Sequence, residues 1–118
     1  MPTSQSKFSI ADHFAASAPT VRATYDALLS AARALGTVRE EPKKTSIHLV
    51  RTSAFAGIAT RKASLVLTLK SQRAVDSPRV RRSERASANR WHVEIPLSEP
   101  NEVDAEIRAW MARAYDLS

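Results

Sequence analysis

Residues 64–70 are SLVLTLK, and this stretch decides the class of fold. Its leucines fall at every second position, and the residues between them are polar or β-branched. A period of two places the three leucines on one face, which is typical of a β-strand whose other face meets solvent. The stretch therefore predicts an antiparallel sheet with one covered face.

Three neighbouring stretches extend the predicted sheet. Residues 46–50 (SIHLV) and 90–97 (RWHVEIPL) show the same alternation, and residues 55–60 are predicted as a further strand with a bulge at Gly57. Pro96 predicts either an edge position or the end of its strand, because proline lacks the N–H that a sheet ladder needs. Short connections favour antiparallel pairing between successive strands.

Helical patterns precede the strands. Residues 9–16 open with Ser9 and Asp12 at a spacing that resembles a capping box. Residues 19–35 repeat apolar residues with a helical period and stop at Gly36, a residue type that favours helix ends. This second, longer helix is amphipathic and should lie across the sheet.

The last pattern in the chain is also helical. Ser98 or Asn101 can cap this helix, and acidic residues near its start suit the positive end of the helix dipole. Its apolar stripe comprises Val103, Ile107, Trp110, Met111 and Ala114.

The order of these elements predicts an α+β fold. We expect an antiparallel sheet of four to five strands, with the N-terminal and C-terminal helices packed on one face. A length of 118 residues suits a single domain over residues 1–118. Within it, residues 1–8 should be flexible, and residues 72–89, which are rich in Arg and Ser, should form a long basic loop.

The net charge of +6 is concentrated in the middle of the chain. Residues 43–90 hold 12 Lys and Arg against only Asp76 and Glu84, whereas residues 1–42 are balanced and residues 91–118 are acidic. Such a basic block attracts anionic molecules over long range. The expected partner is therefore an anionic ligand, a nucleic acid or an acidic protein.

Composition excludes several classes of site. The chain has no cysteine, which removes disulfides, thiolate nucleophiles and zinc sites built on cysteine. Its two glycines cannot form a phosphate-binding loop, and neither a His-Glu-x-x-His nor a Gly-x-Ser-x-Gly motif occurs. The sequence indicates no cofactor, no metal motif and no catalytic residue, and it favours a non-enzymatic binding module over an enzyme.

Location is predicted from the same composition. The polar start and the lack of a long apolar run indicate neither an export signal nor a membrane span. We therefore expect a cytoplasmic protein with no membrane partner.

Strand parity predicts a working surface. If the helices cover the face that bears the leucines of residues 64–70, the reverse face carries His48, Thr68, Lys70, His92 and Glu94. An alternative function is metal or proton handling by His48, His92 and Glu94, because imidazoles and a carboxylate are suitable ligands and imidazole titrates near neutrality. Solvated side chains on an antiparallel sheet explain the same residues without a function.

The candidate binding residues combine this reverse face with a basic sheet edge and the arginine-rich loop: Lys43, Lys44, His48, Arg61, Lys62, Lys70, Arg79, Arg81, Arg82, Arg85, Arg90, His92 and Glu94. Arginine binds phosphate through paired N–H donors. Phe55 and Trp91 are expected in the core rather than as stacking platforms, and no nucleic-acid-binding motif is visible. The other interpretation of these cations is a charged surface partly paired with the acidic last helix.

A third interpretation is that the reverse face closes a homodimer. Val50, Val66 and Pro96 would supply the apolar contacts of that interface. Small domains commonly associate in this way about a two-fold axis.

Several short motifs are similar to those of one known family. They are IADHF at residues 10–14, PTVR at 19–22, EPKKT at 41–45, Arg51 with Phe55, RWH at 90–92, and Ala114-Tyr115. Together they resemble the bacterial domain-of-unknown-function family numbered 5655 over nearly the whole chain. The resemblance implies a small cytoplasmic α+β domain, similar in architecture to the iron-chaperone-like small domains of bacteria, and it implies no activity.

Overall fold

The computed structural model describes residues 8–118. The segment 1–8, predicted to be flexible, lies outside the described residues except for Phe8, which is exposed. The elements in chain order are α1 (Ile10–Phe14), α2 (Pro19–Arg33), β1 (Arg39–Pro42), β2 (Ile47–Val50), β3 (Ala54–Thr60), β4 (Leu65–Ser71), β5 (Arg82–Ser87), β6 (Arg90–Leu97), a 3-10 helix (Pro100–Glu102) and α3 (Ala105–Asp116). None of the described helices combines the length and the apolar character needed to cross a membrane.

The strands form one sheet in the order β1-β2-β3-β4-β6-β5, and every neighbouring pair is antiparallel. This arrangement, with helices before and after the strands, confirms the α+β class. The predicted number of four to five strands is too low, because residues 8–118 form a sheet of six strands. Pro96 is predicted either on an edge strand or at the end of its strand. It lies one residue before the end of β6, which is an inner strand, so the second position is observed.

The two edge strands, β1 and β5, lack the apolar alternation by which the other strands are predicted. β1 is REEP and β5 is RSERAS, so neither shows apolar alternation. Edge strands bury little, and charged residues on an edge prevent pairing with other chains. Residues 72–89 are therefore not one long loop. Residues 72–81 are loop, whereas the remainder forms β5 and its turn into β6.

A buried tyrosine holds edge strand β1. Glu40 pairs with Leu49 and lies on the same helix-covered face. There the hydroxyl of Tyr25 on α2 donates a hydrogen bond to Glu40 Oε2 at 2.5 Å. Arg33 lies 3.6 Å from the other carboxylate oxygen. Burial raises the pKa of Tyr25, and the hydrogen bond to Glu40 raises it further, so the hydroxyl remains a donor. These contacts explain why an acidic strand packs beside a helix.

The core lies between the helices and one face of the sheet. Apolar residues of α2 and α3 form a single cluster with alternate residues of the inner strands: Val21, Tyr25, Leu28, Ile47, Leu49, Ile58, Leu65, Leu67, Leu69, Val93, Ile95, Ile107 and Met111. The strand residues in this cluster are the ones that a period of two places together. The prediction of a helix-covered face is confirmed, and we call the reverse side the open face.

The bulge in the sheet lies at Phe55 rather than at Gly57. The β2–β3 register shifts between Leu49 and Val50, which leaves Phe55 of β3 as an extra residue. Its ring meets Tyr115 of α3 edge-on, with a centroid distance of 5.2 Å. Gly57, where the bulge is predicted, pairs regularly with both neighbouring strands. The bulge turns the phenyl ring toward the helices and leaves the glycine on the open face.

Helix caps agree with prediction at the first helix and differ at the last. Ser9 caps α1 by accepting a backbone N–H at 3.1 Å. Ser98 and Asn101, the predicted caps of the last helix, do not fill this role. Glu99 forms the capping box of the 3-10 helix, and Asp104 caps α3 with its carboxylate. A carboxylate serves as a cap because it accepts the free N–H groups of the first turn.

Candidate functional site

The open face carries the residues that strand parity places there. One row across β2, β3, β4 and β6 contains His48, Gly57, Thr68 and Glu94, and the next row contains Lys70 and His92. Paired residues on neighbouring strands project from the same side of a sheet. These side chains therefore share one surface, opposite the helices.

A shallow trough runs along β3 on this open face. Gly57 and Ala59 present only a hydrogen or a methyl group, so the surface recedes over β3. His48 of β2 lies on one side of the trough, and Thr68 and Lys70 of β4 lie on the other. His92 of β6 also lines it. The trough has a volume of about 490 Å³, which lies within the usual range for small-molecule sites.

Lys70 is the main cation of the trough. Its Nζ donates a hydrogen bond to Ser53 Oγ at 2.8 Å. Burial lowers the pKa of Lys70, and the positive charge of Arg90 lowers it further. Within residues 8–118, no carboxylate forms an ion pair with this ammonium. The trough thus holds a partly desolvated cation whose protein partner is a hydroxyl group.

Two imidazoles complete the polar lining. Burial lowers the pKa of His48, and the nearby charge of Lys43 lowers it further, while Glu41 acts in the opposite direction. Glu41 is the cross-strand neighbour of His48 on β1. His92 is exposed and pairs across strands with Lys70. An anion in the trough would stabilise the protonated form of His48 and so raise its pKa.

His48 and His92 do not form the joint site that metal or proton handling requires. They lie on β2 and β6, three strand positions apart, a separation of about 14 Å at the usual strand spacing. Over residues 8–118, no group of three His, Asp or Glu side chains is arranged to hold a metal ion. Glu94 lies 3.2 Å from Arg81 in an ion pair. The geometry therefore does not support the alternative built on these three residues.

Three arginines in or next to β5 already have ion-pair or hydrogen-bond partners within the chain. Arg81 pairs with Glu94, and Arg82 pairs with Glu84 on its own strand. Arg85 donates to two carbonyl oxygens of its own hairpin turn. These cations do not converge on the trough, and internal contacts reduce what they offer to an anionic partner.

Arg79 lies on the helix side and fastens the 72–81 loop to α3. Its Nη1 contacts both carboxylate oxygens of Asp104 at 2.9 Å and lies 3.2 Å from Glu106. Its Nη2 donates to the backbone oxygen of Glu102 at 2.7 Å. The hydrogen bond from Arg79 lowers the pKa of Asp104. Pairing between the basic block and the acidic last helix, one of the two interpretations of the sequence, is thus observed at Arg79.

Four other predicted cations form a separate patch at the far end of the sheet from Lys70. Lys43 and Lys44 lie in the β1–β2 turn, and Arg61 and Lys62 lie in the β3–β4 turn. Lys43 Nζ lies 3.4 Å from a carboxylate oxygen of β1. The backbone carbonyls of Arg61 and Lys62 accept hydrogen bonds from the α1–α2 connection. This patch is exposed and lies at the end of the trough nearer His48, away from Lys70.

The family model described as Domain of unknown function (DUF5655) matches residues 10–118. The chain belongs to the DUF5655 family. The match confirms the resemblance of the sequence motifs. No curated protein and no solved structure matches the chain.

Two apolar features of the DUF5655 chain differ from expectation. Trp91, predicted in the core, is half-buried and lies outside the core cluster. Its cross-strand neighbours on the same face are Ser71 and Arg85, which offer it little apolar surface. Val50 and Val66, assigned to a homodimer contact, are only 5% and 6% exposed within the single chain. These two valines offer a second copy little apolar surface, whereas Pro96, the third residue of that predicted contact, is exposed.

Sequence patterns miss two features of the DUF5655 open face, namely the partner of Lys70 and the floor of the trough. One is Ser53, which lies in the β2–β3 turn and reaches Lys70 across the sheet surface. The other is the floor, which is encoded by the small residues of β3, AFAGIAT. Small residues at alternate positions of an inner strand leave room above the sheet, and glycine in a strand marks a place where another group can approach the backbone. That signal is visible in the sequence once β3 is known to be an inner strand.

Proposed function

We propose that this DUF5655 domain is a non-enzymatic binding module for an anionic partner, and that the trough is its main contact surface. The observation that carries the proposal is the environment of Lys70. Its ammonium lines an open trough, and its protein partner is the hydroxyl of Ser53 rather than a carboxylate. An anionic oxygen at Nζ would replace lost hydration with a charge-assisted hydrogen bond.

The surrounding charges favour the same kind of ligand. Arg90 is close enough to Lys70 to lower its pKa, and Lys43 acts in the same way on His48. Each of these effects reports a positive potential that a bound anion would relieve. The N–H groups of His48 and His92 could then donate to further anionic oxygens along the trough. We further propose a cytoplasmic location, with which the cysteine-free composition is compatible.

The binding surface we propose is the open face rather than the arginine-rich loop. Arg79, Arg81 and Arg82 have carboxylate partners in the chain, whereas Lys70 has none among the described residues. A cation that is already paired gains less from an incoming anion, because it must first give up its existing partner. The paired arginines therefore add to long-range attraction more than to direct contact.

A binding titration with two anionic probes tests the proposal. Fluorescence anisotropy would follow a labelled mixed-sequence single-stranded oligonucleotide and a labelled oligo-glutamate peptide, each at about 50 and about 200 mM NaCl. We expect at least one probe to bind at the lower salt concentration and to weaken at the higher one. Lys70→Gln should weaken that binding by about tenfold, which corresponds to the loss of one charge-assisted hydrogen bond.

Lys62→Gln is the matched control, because it removes the same charge from the opposite end of the sheet. It should change affinity by less than about threefold, through long-range attraction alone. Equal weakening by both substitutions would mean that net charge, and not the trough, governs binding. If neither the oligonucleotide nor the oligo-glutamate peptide binds at the lower salt concentration, the proposal is wrong.

A further inference from the structure

We propose a second ligand site on the helix side of the molecule, in a cleft between residues 71–75 and the C-terminal half of α3, and we infer that it takes a nucleoside monophosphate. This α3 cleft has a volume of about 810 Å³. The residues that carry the inference are Arg73, Trp110, Arg113 and Asp116, all of which line the cleft. None of them belongs to the trough, so the inference does not rest on the function proposed for the open face.

Trp110 supplies the apolar wall of the α3 cleft. It is half-buried and packs against the core cluster, as Val75 does from the opposite side of the cleft. A small void of about 30 Å³ beside it is lined by the apolar side chains of Leu69, Val75 and Val93 and also by Lys70, Ser71 and Arg113. An indole supported in this way presents its remaining surface to the cleft. Aromatic side chains in such positions stack on nucleobases.

Two guanidinium groups line the cleft together with this indole. Within residues 8–118, the side chains of Arg73 and Arg113 form neither a hydrogen bond nor an ion pair. They differ in this respect from Arg79, Arg81 and Arg82, each of which has a carboxylate partner. A planar, unpaired guanidinium is well suited to bind phosphate oxygens through two parallel N–H donors.

Asp116 limits the charge of the ligand. Its carboxylate lines the same cleft, so the three charged side chains that line it sum to +1. The C-terminal end of α3, which carries partial negative charge, further disfavours a highly charged anion. The carboxylate can accept hydrogen bonds from ribose hydroxyls or from a base amino group. A nucleoside monophosphate has a base that can stack on Trp110, hydroxyl groups that can donate to Asp116, and one phosphate that the two arginines can bind.

Tryptophan fluorescence tests the α3 cleft directly. The full chain with Trp91→Phe retains Trp110 as its single tryptophan, since the sequence has two. Adenosine monophosphate should quench this fluorescence saturably. Adenosine should bind about tenfold more weakly because it lacks the phosphate, and inorganic phosphate should cause little quenching because it lacks the ring.

Substitutions test whether the arginines that line the cleft bind the nucleotide. In the same background, Arg73→Gln and Arg113→Gln should each weaken nucleotide binding by about fivefold to tenfold. Arg108→Gln is the control on the same helix, because Arg108 is exposed and does not line the cleft. Lys62→Gln, which removes a positive charge from the β3–β4 turn outside the cleft, should leave nucleotide binding unchanged.

Three outcomes would overturn the inference. They are the absence of saturable quenching, equal affinities for adenosine and its monophosphate, and equal weakening by Arg108→Gln and Arg113→Gln. Circular dichroism of the Arg73, Arg108 and Arg113 variants should match that of the parent, since these side chains form no hydrogen bond or ion pair among the described residues.

Discussion

An alanine at position 36 should destabilise the DUF5655 fold by about 2–4 kcal/mol. Gly36 has φ of +153°, a backbone conformation that side chains rarely adopt, and a Cβ there would overlap Tyr115 Oη. The tyrosine cannot easily move away. Its hydroxyl donates to the Thr37 carbonyl at 3.0 Å, and its ring contacts both Phe55 and the guanidinium of Arg51. The substitution therefore forces either backbone strain or loss of the contacts that dock the end of α3.

Gly57→Ala is the matched control for Gly36→Ala. A Cβ at Gly57 would lie 3.8 Å from His48 Cδ2 and 4.0 Å from Thr68 Cβ, which are ordinary contact distances. We expect the free energy of unfolding to change by less than about 0.5 kcal/mol, since a regular position inside a strand does not require glycine. Urea denaturation of the two variants measures both effects. Equal midpoints would contradict the role assigned to Gly36.

Leu67→Ala should cost about 3–4 kcal/mol, because it opens a cavity at the centre of the core. Leu67 is fully buried on β4, between Ile58 of β3 and Ile95 of β6. Domains of this size have a total stability of roughly 5–15 kcal/mol, so the loss is a large fraction of it. The midpoint of thermal unfolding should fall by about 10–15 °C.

The adjacent substitution tests the assignment of the two faces. Thr68→Ala removes a side chain from the open face, where Thr68 is only half-buried. It should cost less than about 1 kcal/mol. Differential scanning calorimetry of Leu67→Ala and Thr68→Ala compares neighbours that differ mainly in the face they occupy. A loss from Thr68→Ala as large as that from Leu67→Ala would mean that both faces of β4 are buried.

The inner strands were predictable because burial imposes a period of two on them. Residues 64–70 and 90–97 alternate between apolar and polar side chains, and the structure places both segments in the interior of the sheet. The edge strands follow no such rule. β1 is held through the contact of Glu40 with Tyr25, which the local pattern does not reveal. β5 is exposed except at Ser83 and has no apolar alternation, so its side chains do not distinguish it from a loop.

The positions of site residues were more predictable than their partners. Strand parity places His48, Lys70 and His92 on the open face without knowledge of the strand order. The pairing of Arg79 with Asp104 could not be inferred, because the two residues are 25 positions apart and meet only after the loop folds onto α3. The distance between His48 and His92 likewise depends on strand order, which the sequence leaves open.

We propose that the open face holds a trough of positive potential that accepts an anion. The most direct test is the pKa of the His48 imidazole, measured by NMR in sodium sulfate and in sodium chloride of equal ionic strength. We expect the pKa to lie below its ordinary value of 6.5 in chloride, because of burial and the charge of Lys43, and to rise in sulfate. A pKa at or above 6.5 in chloride, or the same value in both salts, would contradict the account.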